Sequence, residues 1–249
     1  MSLYQLELRH FFRSPLIWII MSISAFIGAW TFLMAIELFS VIQVKFAGMS
    51  DAPTIVQAVV FPVISSQAKI SMIIVAIISG LSFARLQQQN GWFLIFSIAK
   101  TEWNLTLQKY LGGIVIVLLF LLPAFIAMLA LIILADLQMK LVITALLGLI
   151  LFVCWLSALG VMISSWVNNS GFAILLNILV FFGLWGMSLS VLDASWGKNW
   201  LQSFSPNYHL QNFMSEVLPY SSIIYFLSGI VIFLIAASIR INHRRYLLN

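Results

Sequence analysis

The side chains that most often carry chemistry are few in this chain and far apart. Its three histidines, His10, His209 and His243, fall on separate segments, and its single cysteine, Cys154, lies inside an apolar stretch. None of them has the His-x-x-x-His or paired-Cys spacing that presents two ligands to one metal, so no metal centre is expected. The Gly-x-x-x-x-Gly-Lys-Ser/Thr loop that cradles phosphates does not occur, nor does the Gly-x-Ser-x-Gly elbow of a serine hydrolase. One cysteine permits no internal disulfide. The chain is not expected to be an enzyme or to hold a cofactor of its own.

Polar residues within the apolar stretches are the next place to look, because a charge deep in a membrane usually marks an ion path. Glu37 and Lys69 read as peripheral, close to span ends, where a long side chain reaches water at little cost. Their placement argues against a proton- or sodium-coupled carrier. Ser157, Gly160 and Ser164 are spaced i, i+3, i+7, which puts three small side chains on one helical face and lets another helix approach closely. Asn177 is polar and central in its stretch, fit either to line a route or to hydrogen-bond a neighbouring helix. Gly183 and Gly186 thin the same stretch, and Phe181, Phe182 and Trp185 suit ordinary packing as well as contact with a lipid-like substrate.

The most polar run is Arg85-Leu-Gln-Gln-Gln-Asn-Gly91, followed by Trp92 to Phe96 and a polar stretch from Lys100 to Lys109. Residues 84–109 thus combine a charged segment with an apolar face and continue directly into apolar stretches on both sides. Such a segment can lie at a membrane surface. A force on it would tilt both flanking helices, and Arg85, Gln88, Gly91, Trp92, Lys100 and Glu102 are the residues expected to receive that force.

The elements that must position these residues follow from composition. With 63% hydrophobic and 8% charged residues and a mean hydropathy of +1.09, the chain has the makeup of an integral membrane protein. About 20 apolar residues span a bilayer as helix, and the backbone must satisfy its own hydrogen bonds there. The apolar runs predict six spans, at about 16–39, 64–83, 110–135, 141–164, 171–192 and 222–239, with Pro123 kinking the third. Residues 40–63 read as a loop, and 193–220, rich in Trp and Pro, as another. Residues 1–14 form an amphipathic lead, in which Leu3, Tyr4, Leu6, Phe11 and Phe12 alternate with Glu7, Arg9 and Arg13. The run after it is too long for a signal h-region and reads as a retained span. No connection is long enough for a folded extramembrane domain.

An even number of spans puts both termini on one side. If that side is cytoplasmic, Arg9, Arg13, Arg85, Lys100, Lys109, Arg240, Arg244 and Arg245 lie inside, and Lys45, Lys69, Lys140 and Lys198 lie outside. The inner excess satisfies the positive-inside bias. Charge scattered over span ends explains the net +5 without nucleic acid.

Certain stretches resemble a known family. Glu7-Leu-Arg-His-Phe-Phe-Arg-Ser-Pro15, Gly91 with the apolar run up to Lys109-Tyr-Leu-Gly, and Leu147-Gly-Leu-Ile-Leu through Ala158-Leu-Gly160-Val-Met-Ile-Ser-Ser165 resemble type-2 ABC permeases, closest to gliding-motility-type permease subunits. The likeness covers the whole chain by topology. It implies an all-α integral membrane fold with six transmembrane helices, cytoplasmic termini, the lead as an elbow helix, a coupling helix in 84–109, and short re-entrant outer helices between spans 5 and 6. It also implies a second permease, homo- or heterodimeric, and separate ATPase subunits that bind ATP and Mg. The chain departs from the family at Gln87, Gln88, Gln89 and Asn90, where acidic residues usually precede the loop glycine, and Trp92 and Phe93 follow with no Pro in that stretch.

The expectation is a permease subunit of an ATP-driven exporter in a bacterial inner membrane, with substrate passing between two permeases beside spans 2 and 5. The alternatives are an ATP-independent transporter or channel, which would need buried charges or a selectivity motif, and a non-transporting anchor or assembly subunit, which would need neither.

Overall fold

The computed structural model describes residues 12–13, 15–45, 54–88, 101–135, 139–188, 203–215 and 218–248. All regular elements among them are helical. In chain order they are α1 (Pro15–Lys45), a π-helical turn (Val56–Val60) that runs into α2 (Phe61–Gln88), α3 (Glu102–Phe120), α4 (Leu122–Ala135), α5 (Met139–Trp166), α6 (Ser170–Gly186), the short α7 (Pro206–Asn212) and α8 (Tyr220–Leu248). Among the described residues, five stretches are long and apolar enough to cross a membrane: Ile17–Gln43, Val56–Gln88, Glu102–Phe120, Met139–Trp166 and Tyr220–Arg245. This is the architecture of a multi-pass membrane protein. α6, at 17 residues, rises about 26 Å at 1.5 Å per residue.

α2 and α5 form the centre. α2 packs against α5, α6, α1 and α3, and α5 is flanked on its other side by α8. Phe120, Phe152, Phe181, Phe213 and Phe226 are fully enclosed. α1 lies at the periphery, with Trp18, Ile23, Phe26, Trp30, Leu33 and Leu38 exposed.

Helix ends differ from the sequence expectation in a consistent direction: most helices run further. α2 continues through Arg85 to Gln88, so these two residues sit on its last turn and not in a loop. α3 starts at Glu102 and takes in most of the polar stretch up to Lys109, because Thr101 caps it, its Oγ1 accepting the Asn104 N–H at 3.3 Å. α1 runs on to Lys45 and helix is in place again from Val56, so 40–45 and 56–63 are helical, while 46–53 lie outside the described residues. Glu37 lies eight residues before the end of α1 and Lys69 is the ninth residue of α2, so neither is at a helix end. α6 is shorter than expected, ending at Gly186. Within 193–220, the described residues include α7, wedged against α5, α6 and α8.

Pro123 has the expected effect. A proline has no N–H to donate to the preceding turn, and the helix breaks at Leu121, whose N–H bonds Leu118 O at 3.1 Å before α4 restarts. The Gln67 side-chain amide donates to Phe120 O at 2.8 Å and ties α2 to the break.

Candidate functional site

The small-residue stripe on α5 meets α2 and α6. A Cβ on Gly160 would overlap the Ser79 hydroxyl and come within 3.3 Å of Asn177 Nδ2, so α5 touches both neighbours there because residue 160 has no side chain. One turn on, Ser164 Oγ donates to Gly80 O and accepts from the Phe83 and Ala84 N–H groups, each at 3.0 Å. Gln87 Nε2 donates to Ser164 O at 3.3 Å and Ser165 O at 3.1 Å. These bonds fasten the last turns of α2 to α5, which explains why α2 remains helical through Gln88.

Asn177 belongs to the same seam. It is fully buried, and its Nδ2 donates to Ala76 O and Ser79 Oγ, both at 3.3 Å. Of the two roles open to it, the structure places it between helices. Phe181 is fully buried, and Trp185 packs edge-on against Phe152 with ring centroids 6.0 Å apart. Ser157 is buried as well, and its Oγ, Asn177 Oδ1 and Gln87 Oε1 have no hydrogen-bond partner among the described residues. Ser157, Gly160, Ser164, Asn177, Phe181 and Trp185 thus come together as packing among α2, α5 and α6.

The second constellation lies at the end of the bundle where α2 stops and α3 starts. Glu102 forms an ion pair with Arg245 on the last turns of α8, joining residues 143 positions apart. Arg244 Nη2 donates to Asn168 Oδ1 at 2.7 Å, and Arg240 lies over the Trp166 ring at 5.3 Å. Gln88 Oε1 accepts from Ser170 Oγ at 2.7 Å. Asn169 Oδ1 caps α6 by accepting the Gly171 and Phe172 N–H groups. The result is a charged collar that links α3 to α8, α8 to the α5–α6 turn, and that turn to α2.

Of the residues expected to receive force, Gln88 and Glu102 are therefore in the collar and Arg85 is on the last turn of α2, while Gly91, Trp92 and Lys100 lie outside the described residues. So do Leu3, Tyr4, Leu6 and Phe11 of the lead. Phe12 is described, and its position departs from expectation. With Ile17, Trp18 and Met21 it lines an apolar niche against Ile116, Leu119 and Phe120, and Trp18 Nε1 donates to its carbonyl at 3.0 Å. Those α3 residues are 14 to 18 positions from Glu102, or about 21 to 27 Å along the axis, so Phe12 does not lie beside the collar.

Sequence reasoning missed the clasp between Glu102 and Arg245. The arginines of α8 read as orientation markers, yet their spacing (Arg240, Arg244 and Arg245, i, i+4, i+5) already put cations on adjoining faces of one helix. It also missed His209, which stacks on Tyr225 with centroids 3.9 Å apart. His209 Nε2 lies 2.9 Å from Ser203 O and Nδ1 2.9 Å from Ser222 Oγ. A carbonyl can only accept, so Nε2 carries the proton and Nδ1 takes the hydroxyl's. Burial pushes the His209 pKa below its ordinary value, partly opposed by the Ser203 carbonyl. The neutral imidazole thus secures α7 to the start of α8.

No protein-family model matches the chain, and no curated protein matches it.

Proposed function

We propose that this chain is the membrane subunit of an ATP-driven ABC exporter, with six spans and with the collar and the C-terminal end of α8 on the cytoplasmic side. ATP and Mg would be bound by separate ATPase subunits, and a second permease would complete the translocator. The supporting observation is that the ends of α2 and α3, on either side of residues 89–100, belong to one bonded collar. A push on that connection would reach α2 and α3 together, and through Glu102 and Arg245 also α8. The α2–α5–α6 seam would carry the movement as one body, because its buried hydrogen bonds cannot be exchanged for water inside a membrane. The residues of this chain would bind and transmit, and the phosphate chemistry would belong to the partner.

The test replaces residues 89–100 with a glycine–serine segment of equal length, leaving Gln87 and Gln88 on α2. Partner-stimulated ATP hydrolysis by the co-purified complex should disappear while the chain still inserts and stays monodisperse. Hydrolysis at the original rate would reject the reading. A non-transporting anchor has one observation on its side, the complete burial of Asn177 and Phe181, which takes both of them out of any route through the chain. It predicts that the replacement releases the partner without changing any substrate flux.

A further inference from the structure

Lys69 is an ionisable residue outside both the collar and the seam. It lies on α2 sixteen residues before Arg85, about 24 Å along the helix axis. A hydrocarbon core is ~30 Å thick, so with the collar arginines at one headgroup layer an extended lysine reaches toward the other. Its side chain is exposed, and no salt bridge to it occurs among the described residues. What it does have is a platform. Nζ stands 5.8 Å from the centroid of the Trp185 ring, near the end of α6 remote from the collar. Trp185 is 7% exposed and held by Phe152, so the ring is fixed.

Along α2 the neighbours one turn from this cation are the half-buried Ser65 and Ser66 on one side and Ile73, 44% exposed, on the other. α6, which carries Trp185, exposes Leu179 (62%) and Phe182 (40%). Among the described residues no carboxylate pairs with this ammonium, and the aromatic ring supplies only part of a counter-charge. From this juxtaposition we propose that Lys69 and Trp185 form a binding site for the phosphate-bearing headgroup of an anionic phospholipid, whose acyl chains lie along Ile73, Leu179 and Phe182. A phosphate free in solution would have to shed its water against that face with nothing to cover the apolar residues. A second copy of this chain would have to bring a carboxylate, and the exposed one among the described residues is Glu37 on α1, an arrangement that the oligomeric state reads directly. The inference needs only a membrane-spanning chain and stands apart from the transport reading.

The experiment uses the purified full chain in a neutral detergent, titrated with phosphatidylglycerol or phosphatidylcholine of the same acyl chains and read by native mass spectrometry. Lys69→Gln should lower the retention of phosphatidylglycerol relative to phosphatidylcholine by about fivefold, the ~1 kcal/mol worth of one cation at an anionic lipid surface. Lys69→Arg should keep the preference, and Trp185→Leu should weaken it. An unchanged preference in Lys69→Gln overturns the site. Displacement of the lipid from the wild-type chain by millimolar inorganic phosphate overturns its assignment to a lipid. A shift of the wild-type chain from oligomer to monomer on Lys69→Gln would give the surface to a second copy instead.

Discussion

The seam and the collar hold the same helices together by opposite means. In the seam, α2, α5 and α6 touch through residues that have almost no side chain, and hydroxyls and amides bond backbone carbonyls at full burial. In the collar, long charged side chains reach across wider gaps and stay partly exposed: Arg245 is 38% and Glu102 21% accessible. Contact through backbone and short side chains has one geometry and cannot slide. Contact through arginines and carboxylates can break and re-form at modest cost. The difference suits a rigid body whose ends must answer to something outside it.

The comparison can be broken most severely at Gly160. Gly160→Val puts methyl groups into the Ser79 hydroxyl and the Asn177 amide; overpacking of ~3 kcal/mol or more should leave little monodisperse protein after detergent extraction. Gly183→Ala is the matched control, since nothing lies within 4 Å of its Cβ position, and its melting temperature should stay level or rise slightly. If both glycines tolerate substitution equally, α5 does not approach α2 as described. Next in size is Ser164→Ala, which removes the hydroxyl that Gly80 O, Phe83 N–H and Ala84 N–H share. A loss of about 1–2 kcal/mol is expected, read as a lowered melting temperature, and Ser164→Thr should recover part of it if the added methyl fits.

His209 sharpens the contrast at the far end of the bundle, where a neutral ring does the fastening. Its pKa is lowered in the folded chain, so below the ordinary value near 6.5 the unfolded chain takes up a proton that the folded one refuses. The stability it contributes is complete above that pH and declines as the pH falls through it. Melting temperatures measured from pH 8 down to 5.5 should drop, and in His209→Gln the drop should flatten. A slope unchanged by that substitution would remove His209 as the cause. The smallest effect on stability belongs to the collar. Glu102→Gln and Arg245→Gln should each cost less than about 1 kcal/mol, and the double variant should cost no more than either alone. Clear additivity would mean that the two charges do not act as a pair.

Several features were legible from residue types. The small stripe of Ser157, Gly160 and Ser164 marked a close approach, and Pro123 marked a break. Others were not. The polar residues from Glu102 to Lys109 read as a connection, but a capped helix tolerates polar side chains where one face is exposed. α2 runs on to Gln88 because Gln87 finds two carbonyls on α5, partners 77 and 78 residues away that no local pattern announces. Lys69 read as a span-end anchor, and its contact with Trp185 arises only where α6 packs against α2.

Composition alone settles that this chain is helical and built for a bilayer, since transfer of apolar residues out of water is a sum over residues that needs no knowledge of neighbours, and a backbone without water must bond itself. Which face of each helix is buried was a matter of packing. Where nearly every residue is apolar, all sides of a helix look alike, so the contacts are chosen by shape and by a few polar groups. The meetings of Gly160 with Ser79, Glu102 with Arg245, and Lys69 with Trp185 exist only once the helices stand side by side.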